Sequence, residues 1–97
     1  MATIDDAIND RVEIEFTYDG FPRVVQPAAH GTHVSTGKEL LRGYQTGGTS
    51  ATRSVPLWDL FSVARIESLV VTDRRFDTNP PDYSPDDRHL GEIYAQL

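Results

Sequence analysis

The side chains best suited to chemistry in this chain are its three histidines, His30, His33 and His89. His30 and His33 lie on either side of Gly31, and a bend at that glycine could turn both imidazoles toward one metal ion. A third ligand would have to come from His89 or from a distant carboxylate. Histidines that lie in turns or on the surface and bind no metal are the better interpretation of this spacing. We therefore expect neither a metal site nor a cofactor.

Residues 31–39 hold two glycines and a lysine, in an order similar to the phosphate-binding loop of nucleotide hydrolases. Gly31 and Gly37 are separated by five residues, one more than the motif allows. Glu39 stands where the motif needs a hydroxyl for magnesium, and a strand pattern follows where a helix N-terminus should face the phosphate. We therefore exclude a phosphate-binding loop of this type.

No set of catalytic groups can be defined from the sequence. Serine, histidine and aspartate are frequent, but no G-x-S-x-G sequence would hold a serine nucleophile on a strained turn. The adjacent carboxylates of Asp86 and Asp87 lie in a proline-rich segment that does not fix their geometry. Since no nucleophile, base and orienting group can be named together, we expect a protein that is not an enzyme.

The charge distribution limits the partners of the chain. Its 97 residues include 15 acidic and 9 basic side chains, and the net charge of −6 argues against direct binding of duplex DNA. Residues 23–58 nevertheless hold four basic residues against one acidic residue: Arg23, Lys38, Arg42 and Arg53. A few convergent guanidiniums can bind one phosphate or carboxylate, so this segment predicts a site for a small anion. Ordinary solvated strand residues are the alternative.

Aromatic side chains could complete such a site. Trp58 and Phe61 lie in a stretch expected to cross one end of the domain, and Tyr18 and Tyr44 lie in expected strands. Rings beside arginines can stack on bases. The same rings could instead fill the core of a small β domain, which has few other large side chains.

The expected compartment follows from composition. The chain has no cysteine, and therefore no disulfide and no cysteine nucleophile. Its apolar runs are only a few residues long, and residues 1–10 are acidic where a secretory signal would be basic and then apolar. We expect a cytoplasmic protein that makes no contact with a membrane.

The elements that would position these residues begin with a short helix. Thr3 is a suitable N-cap, and two aspartates follow it in the first turn. In residues 12–18 every second side chain is apolar, which predicts a half-buried strand. Asp19 and Gly20 then predict a tight turn, and residues 23–26 the returning strand of a hairpin.

Three further strands are expected after this hairpin. Residues 39–45 are apolar on both faces, as in a curved central strand, and Gly43 leaves room for a close contact or a bend. Residues 53–58 resume an extended pattern, residues 60–66 are ambiguous between a strand and one helical turn, and residues 66–72 form the last clear strand. The chain then has five expected strands.

The C-terminal part of the chain is rich in proline and aspartate. Residues 73–89 should form no regular element, and apolar residues near residue 97 suggest that the tail docks back on the domain. Short strands joined by glycine and proline turns favour a barrel over a layered α/β fold. We predict one mainly β domain: a short N-terminal helix (1–11), a five-stranded SH3-like or Sm-like barrel (12–72) and a tail that wraps the barrel (73–97).

The order of these pieces resembles a WYL domain over residues 12–72. The resemblance rests on four segments: an aromatic first strand (14–18), the sequence Arg23-Val24-Val25-Gln26-Pro27, residues 38–44 and residues 61–66. Glu39-Leu40-Leu41 stands where the family has Trp-Tyr-Leu, and Arg65 alone remains of the charged residues in its closing motif.

This resemblance implies a function as well as a fold. WYL domains are associated with sensing of nucleic-acid or nucleotide-like ligands in a basic, aromatic-lined pocket, to which Arg42, Tyr44, Gln45 and Arg65 would contribute here. We therefore expect a non-catalytic regulatory module that binds a nucleotide, a short single-stranded nucleic acid or another small anion. The alternative is a self-assembling or protein-binding barrel that uses its exposed strand edges and takes no small ligand.

Overall fold

The structure is a computed structural model that describes residues 3–48 and 55–97. Within these residues the chain forms a short helix, a 3₁₀ turn at Val63–Arg65 and six strands. The elements are α1 (Ile4–Asp10), β1 (Val12–Tyr18), β2 (Phe21–His33), β3 (Glu39–Gly48), β4 (Leu57–Ser62), β5 (Glu67–Arg75) and β6 (Leu90–Gln96). All the strand pairs are antiparallel, so the mainly β class predicted from the sequence is confirmed.

The first hairpin forms as the alternating pattern of residues 12–18 predicts. Every second side chain of β1 is buried, and β1 pairs with β2 from Ile14 opposite Val25 to Tyr18 opposite Phe21. Asp19 and Gly20 connect the two strands, and both have positive φ. Such a two-residue turn matches the twist of the strands it joins.

Strand β2 organises the sheet because it pairs with three other strands. One of its edges pairs with β3, and the other pairs first with β1 and then, from Ala29 to His33, with β6. A register shift between Pro27 and Ala29 separates these two halves, as expected where a proline cannot donate to the ladder. The strand order is β4-β3-β2-β1-β5, with β6 off this path on β2. Within the described residues β4 and β5 do not pair with each other, so the sheet is not closed.

Several strands differ from the sequence prediction. Strand β2 runs over Phe21–His33, where residues 23–26 are predicted, and β3 continues to Gly48, beyond residue 45. The fourth strand begins at Leu57, later than predicted, and residues 49–54 lie outside the described part of the chain. Strand β5 continues to Arg75, which pairs with Val12, although residues from 73 onward were expected to be irregular. Strand β6 is a sixth strand inside the predicted tail, and its partner is the edge of β2, which local sequence does not reveal.

The main core lies between the sheet and α1. Its buried members include three aromatic rings in mutual edge-to-face contact, with centroids 5.1–6.3 Å apart: Phe16, Tyr18 and Phe61. Of the four aromatic side chains noted in the sequence, Tyr18 and Phe61 lie in the core. Tyr44 and Trp58 contact each other outside it. A second, smaller cluster on the other face of β3 contains Ala29, Leu40 and Leu90.

Two glycines allow close packing between the strands. A Cβ atom on Gly43 would overlap the Val25 side chain, so the close neighbour at this glycine is a side chain and not the crossing backbone that the sequence suggested. A Cβ atom on Gly31 would overlap the backbone carbonyl of Glu92 in β6. Strand β6 can therefore approach β2 only because residue 31 has no side chain.

Helix α1 closes the open end of the core. Thr3 caps it as predicted: the Thr3 hydroxyl accepts from the Asp6 N–H, and the Asp6 carboxylate accepts from the Thr3 N–H. Ile4, Ala7 and Ile8 of this helix are buried in the main core. No helix in residues 3–48 and 55–97 is long and apolar enough to cross a bilayer.

Candidate functional site: the tail cleft

A cleft of about 390 Å³ lies on the outer face of the β3–β4 hairpin. The face is set by register, because Arg42 is opposite Leu60 and Tyr44 is opposite Trp58, so these side chains point away from the main core. Residues 82–89, here called the tail segment, cover this face. The cleft is lined by Arg42 of β3, Trp58 of β4 and seven residues of the tail segment: Asp82, Tyr83, Ser84, Asp86, Asp87, Arg88 and His89.

Three aromatic rings form one wall of the cleft and its support. The Trp58 ring contacts the Tyr44 ring at 5.2 Å between centroids and stacks with the Tyr83 ring at 6.5 Å. The Trp58 indole N–H donates to the Pro81 carbonyl at 2.7 Å, and the Tyr83 hydroxyl donates to the Leu97 carbonyl at 2.9 Å. Because the Trp58 N–H and the Tyr83 hydroxyl have partners within the protein, the apolar parts of these two rings are what they offer to a ligand.

The Tyr83 hydroxyl is held in its neutral form. Burial raises the pKa of Tyr83, the negative charge of Asp86 raises it further, and the positive charge of Arg11 opposes both effects. Tyr83 therefore remains a hydrogen-bond donor to Leu97 at neutral pH, and the tail segment stays attached to the end of β6.

An ion pair joins the tail segment to β3. The Arg42 Nε–H donates to Asp87 Oδ2 at 2.6 Å, and the His89 N–H donates to Asp87 Oδ1 at 2.9 Å. Burial alone would raise the pKa of Asp87, but the hydrogen bonds from Arg42 and His89 and their positive charges outweigh it, so that the pKa of Asp87 is lowered. Asp87 therefore stays ionised and holds the tail segment over the cleft.

Gln96 gives the tail segment a further attachment. The Asp86 N–H donates to the Gln96 side-chain oxygen, and the Gln96 amide donates back to the Asp86 carboxylate. Together with the Arg42–Asp87 pair and the Tyr83–Leu97 bond, these contacts fix the cleft before any ligand binds. A preformed site loses less conformational freedom on binding.

The cleft is more acidic than the basic pocket that the sequence predicts. Its lining has two guanidiniums, Arg42 and Arg88, and three carboxylates, Asp82, Asp86 and Asp87. The cleft therefore has one carboxylate in excess while His89 is neutral. An aromatic wall is present, but a polyanion would meet repulsion here.

The structure places the four predicted ligand residues in three different surroundings. Arg42 lines the cleft, and Tyr44 supports it from behind Trp58. Gln45 is fully buried on the opposite face of β3, where its side-chain oxygen accepts from Arg23. Arg65 lies over the Tyr18 ring and pairs with Asp19. Gln45 is separated from Arg42 and Tyr44 because side chains alternate between the two faces of a strand, and Arg65 belongs to the 3₁₀ turn after β4.

The basic side chains of residues 23–58 that the structure describes do not converge on one site either. Arg23 is buried, donates to the Tyr18 carbonyl and to Gln45, and lies within 6.0 Å of three aromatic ring centroids. Arg42 pairs with Asp87. Arg53 lies outside the described residues. Lys38 is exposed and does not line the cleft. Of the basic residues predicted for the anion site, Arg42 therefore lines the cleft, where Arg88 of the tail segment joins it.

His33 and His89 contact each other, whereas His30 lies in a separate, buried environment. The His33 and His89 rings stack with centroids 6.5 Å apart, and His33 Nδ1 accepts backbone N–H groups of its own turn. His30 is buried, and both of its ring nitrogens contact carboxylates, those of Asp5 and Glu39. Spacing along the chain could not have shown this cluster, because its three residues come from three elements.

Comparison with known proteins found no match: no family model, no curated protein and no solved structure matches this chain. The similarity to WYL domains therefore rests on the order of sequence segments.

Proposed function

We propose that this protein is a non-catalytic module that binds a small planar ligand with one anionic group, such as a nucleoside monophosphate, in the tail cleft. The observation that carries the proposal is the pairing of an aromatic wall with two guanidiniums in one preformed cleft. Trp58 and Tyr83 would contact the ring of the ligand, and Arg42 and Arg88 would receive its anionic group.

The size and charge of the cleft favour a ligand of this kind. A volume of about 390 Å³ is near the lower end for small-molecule sites. The three carboxylates repel an oligonucleotide with many phosphates more strongly than a ligand with one anionic group. Asp82 and Asp86 could also accept hydrogen bonds from hydroxyl or amino groups of the ligand.

The proposal includes the finer architecture. We propose that the open sheet is an SH3-like or Sm-like barrel of the WYL type, with the tail wrapped around it, in a cytoplasmic regulatory protein. The support is the bent strand β2, which carries β1, β3 and β6, together with the segment order in the sequence and the absence of cysteine. The non-catalytic role is supported by the lack of any nucleophile and base that the sequence could place together.

A thermal-shift and calorimetric screen with adenosine monophosphate, adenosine and inorganic phosphate tests this function. We expect adenosine monophosphate to raise the melting temperature and the other two compounds to do so much less, because each supplies only half of the contacts. Arg88 is exposed, so Arg88→Gln should not disturb folding, and it should weaken binding about tenfold or more.

Arg65→Gln is the matched control, since Arg65 is an exposed arginine whose contacts are Asp19 and Tyr18. It should bind the ligand as the wild type does. Absence of any shift with adenosine monophosphate, or equal weakening by Arg65→Gln and Arg88→Gln, would contradict the proposal.

A second candidate function is self-assembly through the outer edge of β5. That strand pairs with β1 alone among the described residues, and its Leu69 and Val70 side chains are 38% and 54% exposed. A regular antiparallel pair of β5 strands centred on Val71 would place Glu67 of one copy opposite Arg75 of the other.

Irregularities in β5 make this candidate the weaker one. Ser68 has a φ of 55°, and the register with β1 shifts on both sides of Val70 and Val71. Such bulges interrupt an edge and discourage pairing. Light scattering after size exclusion would reveal a stable dimer without ligand, and a monomer at high concentration would remove this candidate.

A further inference from the structure

His30 connects the helix to the sheet through both of its ring nitrogens. Its Nδ1 lies 2.6 Å from Asp5 Oδ1 in the first turn of α1, and its Nε2 lies 2.5 Å from Glu39 Oε2 at the start of β3. The His30 side chain is 10% exposed, whereas those of Asp5 and Glu39 are 40% and 49% exposed. The imidazole thus lies inside the protein with a carboxylate at each end.

Only one protonation state of the ring satisfies both contacts. An ionised carboxylate only accepts hydrogen bonds, and a neutral imidazole donates from one nitrogen and presents a lone pair on the other. The imidazolium donates from both nitrogens. Loss of the ring proton therefore leaves one carboxylate facing a lone pair, and either the Asp5 contact or the Glu39 contact must break.

The remaining surroundings of the ring carry no further charge among the described contacts. In the neighbouring strands Leu41 and Ala95 are the residues paired with His30, and both are apolar. The Tyr94 ring of β6 meets the imidazole edge to face at 5.2 Å between centroids, which makes Tyr94 the third titratable residue in contact with the ring among the described contacts. Asp5, Glu39 and Tyr94 are thus the titratable side chains that face His30 from α1, β3 and β6.

Helix α1 depends on such contacts for its place. It has seven residues, too few to be stable as an isolated helix, so docking on the sheet maintains it. Its buried face consists of Ile4, Ala7 and Ile8, and Asp5 supplies a polar tie from the same first turn to β2. A break at Asp5 would loosen the element that covers one end of the main core.

We propose that His30 is a proton-operated clamp: the imidazolium fastens α1 to β2 and β3 by binding Asp5 and Glu39 together, whereas the neutral ring can donate to only one of them at a time, which weakens the docking of α1 on the sheet. The direction is fixed by the contacts: the clamp is closed while the ring is doubly protonated and opens as rising pH removes one proton. The ligand of this device is the proton, and the two-state element is the docking of α1.

Nuclear magnetic resonance tests the clamp in the full chain, between mildly acidic and mildly alkaline pH. Ring nitrogen shifts report the protonation of His30, and hydrogen exchange, corrected for its intrinsic pH dependence, reports the protection of the α1 amides. We expect α1 protection to fall about tenfold or more in step with loss of the His30 ring proton. Protection that is unchanged while the ring loses its proton would overturn the proposal, and so would a neutral ring with α1 fully protected.

Two variants distinguish the His30 contact from a general effect of pH on stability. Asp5→Asn keeps the shape of the side chain but removes its charge, and it should lower α1 protection at low pH and abolish the pH dependence. His33→Gln, which removes a histidine of the neighbouring turn, should leave the pH dependence of α1 unchanged. A pH dependence that survives in Asp5→Asn or is lost in His33→Gln would contradict the clamp.

Discussion

Replacement of Asp87 by asparagine removes the negative charge of the Arg42–Asp87 pair but nearly keeps the shape of the side chain. The carboxylate accepts from Arg42 through Oδ2 and from the His89 N–H through Oδ1. Asparagine has one oxygen, so it can keep one of these bonds while its amide group faces the other donor. Asp87→Asn should therefore destabilise the fold and loosen the tail segment at neutral pH.

The expected size of the effect lies between those of exposed and buried ion pairs. Exposed pairs contribute about 0–1 kcal/mol, whereas removal of one partner of a buried pair costs about 3–5 kcal/mol. The side chains of Arg42 and Asp87 are 24% and 12% exposed, so solvent screens their interaction only in part. We expect Asp87→Asn to lower the free energy of unfolding by about 1–2 kcal/mol at neutral pH.

The pH dependence of this contribution has a definite sign. The pKa of Asp87 is lowered in the folded protein, because the contacts with Arg42 and His89 outweigh the effect of burial. A carboxyl group of this kind stabilises the fold above its unfolded pKa of about 3.9, and the contribution is lost as the pH falls through the lower folded value. The difference between wild type and Asp87→Asn should therefore shrink in acid.

A double-mutant cycle in urea measures the interaction. Wild type, Asp87→Asn, Arg42→Gln and the double variant would be unfolded at neutral pH and at the lowest pH at which all four fold. We expect a coupling energy of about 1–2 kcal/mol at neutral pH and a much smaller one in acid. A coupling energy near zero at neutral pH, or an equal value at both pH values, would refute this reasoning.

Three further substitutions test the packing around the site by urea denaturation. Gly31→Ala should cost about 1–3 kcal/mol and expose the amides of β6, because the new methyl group overlaps the Glu92 carbonyl; Gly47→Ala, with its Cβ at 3.4 Å from Val24, is the control, and equal effects would contradict the account. Thr3→Ala should cost about 1 kcal/mol and reduce the protection of α1, and an unchanged α1 would show that the capping box is dispensable. Arg23→Lys should cost about 1–3 kcal/mol, since an ammonium cannot reproduce both bonds of the buried guanidinium; full stability in this variant would contradict the description of Arg23.

The local elements could be predicted from the sequence because local patterns determine them. The alternation in residues 12–18, the Asp19-Gly20 turn and the Thr3 cap each depend on residues close in the chain, and each appears in the structure. Strand β6 could not be predicted in the same way, because it depends on Gly31, nearly sixty residues earlier in the chain than its own start.

The candidate site was also predictable only in part, because its residue types are visible in the sequence but their long-range contacts are not. The aromatic and basic residue types were recognised, but Arg42 and Gln45 were assigned to one pocket although three residues of spacing in a strand place them on opposite faces. The tail segment supplies most of the cleft. Its composition predicts an irregular segment, which does not indicate that Asp87 and His89 lie beside Arg42. Its contacts with Arg42, Trp58 and Gln96 are long-range, and sequence order alone does not indicate them.

The most direct test of the ligand site uses the single tryptophan of the chain. In a proton–nitrogen correlation spectrum the Trp58 indole N–H gives one signal, which can be followed during titration with adenosine monophosphate. The account predicts that this signal and the amide signals of residues 82–89 shift together with saturation, while those of Gln45 and Arg65 stay in place. Shifts centred on Gln45 and Arg65, with Trp58 unaffected, would contradict it.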